Sequence, residues 1–273
     1  MAVAQTQTGT LNMVSPAETV ARLTWDAVGR RLEAGAIALL PAGAGAKQHG
    51  LHLPMMTDQL LAEYFSFALG NYIKAFGDVL IWPTVTYGYY PAFVAYPGSV
   101  SLSEAQFEHL IASIAGGLLG YGARQVVIVD AGLSTRGPIE HAISGNAWTG
   151  RVTRLGIVEG AHLRQTAERL GRQRHGSHAD EIETSIMLAL FPELVDMARA
   201  VASPVLSDGP QPGPLEPSNP ASANFSPAGT FGDPALATRE LGERLVAAIL
   251  TDLAEFSLIF EHRNASIGPH GES

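Results

Sequence analysis

The chain has 273 residues, 46% of them hydrophobic and 16% charged, enough apolar material for the core of one large domain, so disorder is not the expected state. It contains no cysteine, which excludes disulfides, zinc–thiolate sites, iron–sulfur clusters and thiol nucleophiles; any metal must sit on His, Asp or Glu. A formal charge of −9, with 17 Lys and Arg scattered without a basic stripe, repels a phosphate backbone and argues against a nucleic-acid partner.

In chain order, MAVAQTQTGTLNMVSPAET lacks a basic region followed by an apolar core, and no apolar run reaches the ~18 residues that a membrane helix requires. The expectation is a cytoplasmic protein with no membrane partner, residues 1–15 forming a flexible terminus. Helical spacing covers roughly Pro16 to Glu33, Asp58 to Phe76 and Ser103 to Tyr121. Between and after these segments, AIALLPAG (Ala36 to Gly43), VLIWPTV (Val79 to Val85), VVIVDAG (Val126 to Gly132) and LGIV (Leu155 to Val158) read as buried strands. Such alternation predicts an α/β fold with a mainly parallel sheet flanked by helices on both faces. Ser103 and Gln106 have the spacing of a capping box, and Gly120 and Gly122 end that helix. A further helix is predicted in DEIETSIMLALFPELVDMARAV, with Ser177 as its N-cap and Ile182, Ile186, Ala189 and Leu190 on one face. Residues 203–234 hold eight prolines and read as a long loop. A surface loop is the simpler reading of it, a lid or subunit contact the sharper one. Because the amphipathic ALATRELGERLVAAILTDLAEF follows, residues 16–260 are read as one domain, with 261–273 a flexible tail.

In an open parallel sheet, ligands bind outside the carboxyl ends of the strands. Polar residues gather there: Lys47, His49, His52 and Asp58 after the first strand, Tyr87 to Tyr90 after the second, Asp130 to Arg136 after the third. Known phosphate motifs do not fit. Lys47 stands between Ala46 and Gln48, outside a P-loop pattern, and a dinucleotide fingerprint starting at Gly43 fails at Gln48. Ser134 follows a strand in DAGLSTRG, but the second glycine of G-x-S-x-G is missing.

QHGLHLPMMTD resembles the EQHGPHLPxxTD signature of the creatininase family of amidohydrolases. Further blocks agree in order: LTWDAVGRRL, YPGSVSLS, GARQVVIV, HADEIETSIMLALFPELV and GTFGDPALATRELGERL, so that the resemblance spans about residues 23 to 255. It implies a creatininase-like fold, a small-molecule substrate and a homo-oligomer, commonly a hexamer. It also implies a pair of divalent metals, whose ligands carry over as His49, Asp58 and Glu183. Two ligands do not carry over: the family's first glutamate is Lys47 here, and the histidine of NGHGGN falls on Gly132. The missing pair and Asp58 would hold the first metal; His49, Asp58 and Glu183 would hold the second. Replacing carboxylate by ammonium changes the local charge by two units, so Lys47 is expected to stand in for the lost cation, bonded to Asp58.

Three outcomes stay open on the sequence. One divalent metal (Zn, Mn or Fe) on His49, Asp58 and Glu183 would serve hydrolysis of a small cyclic or formyl-type amide, with Lys47 stabilising the oxyanion. Alternatively no metal binds and Lys47 acts as base, electrophile or imine-forming amine in a derived biosynthetic reaction such as cyclisation, dehydration or amide formation. The third is a paralogue that only binds. His178 takes the family's mobile-loop position and would assist proton transfer. Tyr90, with Tyr87, Tyr89 and Tyr96, would line an aromatic pocket, and Asp130 and Ser134 would contact substrate at the cleft floor. Blander readings exist for each: an aspartate at a helix start is commonly an N-cap, tyrosines near a strand end commonly pack the core, and His52 reads as structural.

Overall fold

Short apolar runs form the centre of the protein because they bury both faces of a parallel sheet. The computed structural model describes residues 19–148, 150–203 and 213–266, with side chains of the last helix through Leu258. The expected flexible residues 1–15, part of the proline-rich segment (204–212) and the end of the tail (267–273) lie outside the described residues. The strands are β1 (Ile37–Ala42), β2 (Val79–Ile81), β3 (Gln125–Asp130) and β4 (Val152–Gly156), ordered β2-β1-β3-β4 with every pair parallel. Ile37 registers with both Val79 and Gln125, and Val126 with Val152. The helices are α1 (Trp25–Glu33), α2 (Thr57–Ile73), α3 (Glu104–Gly120), α4 (Arg136–Ser144), α5 (Ala161–Leu170), α6 (Glu181–Leu190) and α7 (Arg239–Ser266).

Strand side chains alternate between two cores, as the two-residue period of a strand requires. Ile37, Leu39, Val79, Ile81, Val127 and Val129 pack with Phe65 and Leu69 of α2 and Leu245 and Ile249 of α7. Ala38, Leu40, Leu80, Val126 and Ile128 face the other way, against Leu32 of α1, Phe107 and Ile111 of α3 and Ile139 of α4. The expected α/β fold with helices on both faces is thus present.

Differences from the sequence reading have local causes. The fourth strand runs over residues 152–156 rather than 155–158, because a turn from Glu159 N–H to the Gly156 carbonyl closes it. Helix α6 stops at Leu190: Pro192 cannot continue the ladder, and 3-10 turns follow at Pro192–Leu194 and Met197–Arg199. Its N-cap is Asp180, which accepts the Ile182 and Glu183 N–H groups, and not Ser177. Helices α4 and α5 were not foreseen. The Ser103–Gln106 capping box is formed in both directions.

β1 leads through α2 to β2 on one side and neighbours β3 on the other. Their carboxyl ends therefore diverge, and the crevice of the sheet opens between the loops after β1 and β3.

Candidate functional site

The loop after β1 carries Lys47, His49 and Asp58 into this crevice. Gly43 makes the approach possible, since a Cβ there would collide with the Asp58 carbonyl in the first turn of α2. Lys47 Nζ lies 2.6 Å from Asp58 Oδ2, and both side chains are buried. The second carboxylate oxygen, Oδ1, is 2.9 Å from His49 Nε2. Burial pushes the Asp58 carboxyl up, but the Lys47 ammonium and His49 outweigh it and hold the group below the usual carboxylate range. Lys47 Nζ also sits 4.9 Å from the centre of the Phe93 ring and 5.6 Å from that of Tyr90, a setting that favours a cation.

The opposite wall comes from the segment entering α6. Ala179, between His178 and the Asp180 cap, is the one described non-glycine residue with a left-handed backbone, at φ 47°, a conformation that persists only where the surroundings impose it. Its N–H donates to Glu183 Oε2 at 2.7 Å, which fixes the glutamate one turn into the helix. His178 is held from three sides: its Nε2 donates to the Gln48 carbonyl at 2.9 Å, its backbone bridges to Phe231, and its ring lies between Phe93 and His49 at centroid distances of 4.2 and 4.9 Å. Burial, then the charges of Lys47 and His49, keep its pKa well below 6.5. The described part of the proline-rich segment braces this wall, so the simple surface-loop reading does not hold there. Gln48 Nε2 donates to the Gly229 carbonyl at 2.8 Å, Tyr96 Oη donates to Ser226 at 2.6 Å, and Phe231 and Thr230 are buried.

These groups face a cavity of about 730 Å³, lined among others by Lys47, Asp58, Ser134, His178 and Glu183. Two expected substrate contacts sit elsewhere. Tyr90 is buried beside Lys47 among Ala44, Phe93 and Tyr96, off the cavity wall, so its ring serves the Lys47 environment instead of a substrate surface. Asp130 is also off the wall: it accepts Thr135 Oγ1 (2.8 Å), the Gly132 N–H (3.1 Å) and Arg154 Nε (2.7 Å). Burial pushes its pKa up to about 6, against the pull of Arg154 and Thr135. Ser134 reaches the wall with its hydroxyl donated to the Tyr89 carbonyl. His52, read as structural, is buried and bonds Thr184 Oγ1 at 2.8 Å. Sequence reasoning missed Gln48, Phe93 and Asp180. Only Asp180 left a signal, since D-x-x-E from Asp180 to Glu183 is the spacing of a helix cap.

Two carbonyl contacts decide what the imidazoles offer. A carbonyl only accepts, so His49 Nδ1, 2.9 Å from the Lys47 carbonyl, carries a proton, as does His178 Nε2. His49 Nε2, 2.9 Å from Asp58 Oδ1, donates to that carboxylate and becomes a ligand only when an ion displaces this proton, whereas neutral His178 has its lone pair on Nδ1. Both nitrogens face the Glu183 carboxylate, at 3.9 and 4.0 Å. Among the described residues His49, His178 and Glu183 form a group whose ligand atoms lie within 4.8 Å of one another. This donor set fits one divalent ion, with neutral imidazoles and a carboxylate as ligands. Asp58, expected in that set, is outside the group; its Oδ1 borders it at His49 Nε2. The first-metal ligand set that the family resemblance implies is incomplete: Lys47 pairs with Asp58 at 2.6 Å, and a Cβ at Gly132 would collide with Thr135 Oγ1. A second group, His162, Asp252 and Glu255, has another explanation: Asp252 accepts the His162 and Leu163 N–H groups and caps α5.

A parallel α/β sheet with buried imidazoles, carboxylates and an ammonium at its switch point defines a protein with an enzyme-like cleft. The sequence model of the creatininase family, described as creatinine amidohydrolase, matches residues 21–257, and the chain belongs to that family. It is 29% identical over 255 residues to creatinine amidohydrolase of Pseudomonas putida, covering 86% of this chain and 94% of the relative. Mycofactocin precursor peptide peptidase of Mycolicibacterium smegmatis is 25% identical over 244 residues, covering 80% of this chain and 83% of the relative. Among solved structures, a creatininase described as its Mn form aligns with a TM-score of 0.73 and 27% identity, over 88% of this chain and 97% of that one. A creatininase of Zn–Zn type gives a TM-score of 0.73 and 27% identity over 89% and 97%. Among the described residues, no helix is long and apolar enough to cross a membrane.

Proposed function

We propose that this creatininase-family amidohydrolase cleaves the C–N bond of a small non-peptide amide, cyclic or formyl-type, with one divalent metal ion and with Lys47 in place of a second. The observation that carries this reading is the 2.6 Å Lys47–Asp58 ion pair beside the open His49, His178 and Glu183 group. His49, His178 and Glu183 would hold the ion, with Asp58 Oδ1 next to them. When bound, such an ion polarises a carbonyl and makes hydroxide available near neutral pH. The chain's own residues supply the rest. Asp58 fixes the Lys47 ammonium at the cavity, where it stabilises negative charge developing on the amide oxygen. Phe93, Ala131 and Leu61 line the same cavity and limit water around that charge. The Gln48 carbonyl holds His178 in the tautomer with its lone pair on Nδ1, and the Lys47 carbonyl fixes the His49 ring so that Nε2 points at Asp58 and Glu183.

A second reading follows from the same lysine. Its Nζ lines a cavity among aromatic rings, where it would act as base or imine-forming amine in a metal-independent biosynthetic reaction. The two readings part on Lys47→Arg and on metal removal. Under the hydrolase reading, the arginine keeps part of the turnover of formamides and small lactams, and chelation abolishes it. Turnover that survives complete metal removal and vanishes in Lys47→Arg transfers the function to the lysine. The homo-oligomer, hexameric by family resemblance, is tested by light scattering of the full chain.

A further inference from the structure

We infer that the substrate of this site carries an apolar substituent of several carbons on its amide, seated against α5 and α6. The inference rests on the proposed amide chemistry only for the polar end of the ligand. The cavity of about 730 Å³ has two unlike ends. One is the cluster of Lys47, Asp58, His178 and Glu183, which is all that a bare formamide or a five-membered cyclic amide needs. The other is walled by Leu61 of α2, Val158 after β4, Leu163 and Ala167 of α5, and Ile182 and Ile186 of α6. Leu61, Leu163 and Ile186 belong to the main core, and Val158, Ala167 and Ile182 pack on it while only partly buried. The chain therefore leaves apolar surface open to the cavity where a larger residue at Ala167 would close it. The charged lining residues of this region, Arg164, Glu168 and Arg174, are exposed. Water against such a wall has few polar partners, so a hydrocarbon group that displaces it gains affinity.

The test is binding of N-alkylureas, methyl through hexyl, to the full chain by calorimetry; these share the amide carbonyl but resist hydrolysis. The dissociation constant is expected to fall about fourfold per methylene, the transfer value of a buried CH₂, over at least the first three carbons added. Ala167→Phe, which fills the chamber, flattens the series. Should that variant fail to fold, Ile182→Ser lowers the slope from the opposite wall. Affinity independent of chain length, or a slope that neither variant changes, overturns the inference. Hydrolysis of the matching N-alkylformamides is measured in parallel: a urea slope without any hydrolysis contradicts the proposed reaction and leaves the apolar chamber standing, whereas hydrolysis without a slope does the reverse.

Discussion

The two oxygens of Asp58 meet different worlds. Oδ2 faces a cation that is part of the chain, Lys47 at 2.6 Å. Oδ1 accepts from His49 Nε2 at 2.9 Å, at the edge of the group proposed to hold an ion. An ammonium restores the charge that a dication would bring to a buried carboxylate, and it stabilises an oxyanion. It does not offer open coordination positions or acidify water. Under the proposed function, one side of Asp58 would border Lewis-acid chemistry, while the other is a fixed electrostatic element of the chain.

Breaking the Lys47 half should have the largest effect. Lys47→Met leaves Asp58 buried without its main counter-charge, and loss of one partner of a buried pair costs about 3–5 kcal/mol; denaturant midpoints read this directly. The same change lowers kcat/KM by roughly 100- to 1000-fold, the scale of a lost oxyanion donor. Adding Asp58→Asn should return most of the stability but none of the turnover. A loss below about 1 kcal/mol in the single variant, the range of an exposed pair, would contradict the stand-in role.

The other half answers to Glu183→Gln. The amide keeps an oxygen for the Ala179 N–H, so the melting temperature should hardly move. Metal affinity should drop by ~100-fold or more, beyond what an outer-shell partner gives. Equal losses of stability in Glu183→Gln and Lys47→Met would erase the distinction between the halves.

Smaller effects sharpen the picture around the pair. Gly229 has φ 76° and packs on the Gln48 side chain, so Gly229→Ala should cost about 1–3 kcal/mol through backbone strain and loosen the bracing of His178. His52 is held neutral: burial, then His49, lower its pKa from 6.5 to about 4. Because the folded value lies below the unfolded one, its contribution is fully present above pH 6.5 and fades as pH falls towards 4. Melting temperatures at pH 7 and pH 5 should differ less in His52→Gln than in the parent.

Much of this was legible in the sequence where one physical signal dominated. The short apolar runs of β1 and β3, bounded by turn residues, read as buried strands, and Ser103 with Gln106 spells a helix cap. The Lys47–Asp58 contact, expected from the charge change at a position where the family resemblance puts a glutamate ligand, is present. Other features were not legible because they depend on tertiary partners. Helix α4 contains Gly137 and Pro138, which read locally as a turn; Pro138 lies in the first turn, where a missing N–H is harmless. Tyr90 looked like a pocket residue and is instead packed beside the lysine. His178 looked like a mobile proton carrier, yet Gln48, Phe93 and Phe231 fix it from three distant segments. His49 lies far along the chain from His178 and Glu183, so their group emerges only once the segment entering α6 is docked against the loop after β1.

The most direct test of the account is metal content per chain by plasma mass spectrometry, on protein purified without chelator and then equilibrated with zinc or manganese. One equivalent, lost in Glu183→Gln and kept in Lys47→Met, is the expected result. Two equivalents, or none above background in the parent chain, would contradict the division of this site into one ion and one lysine.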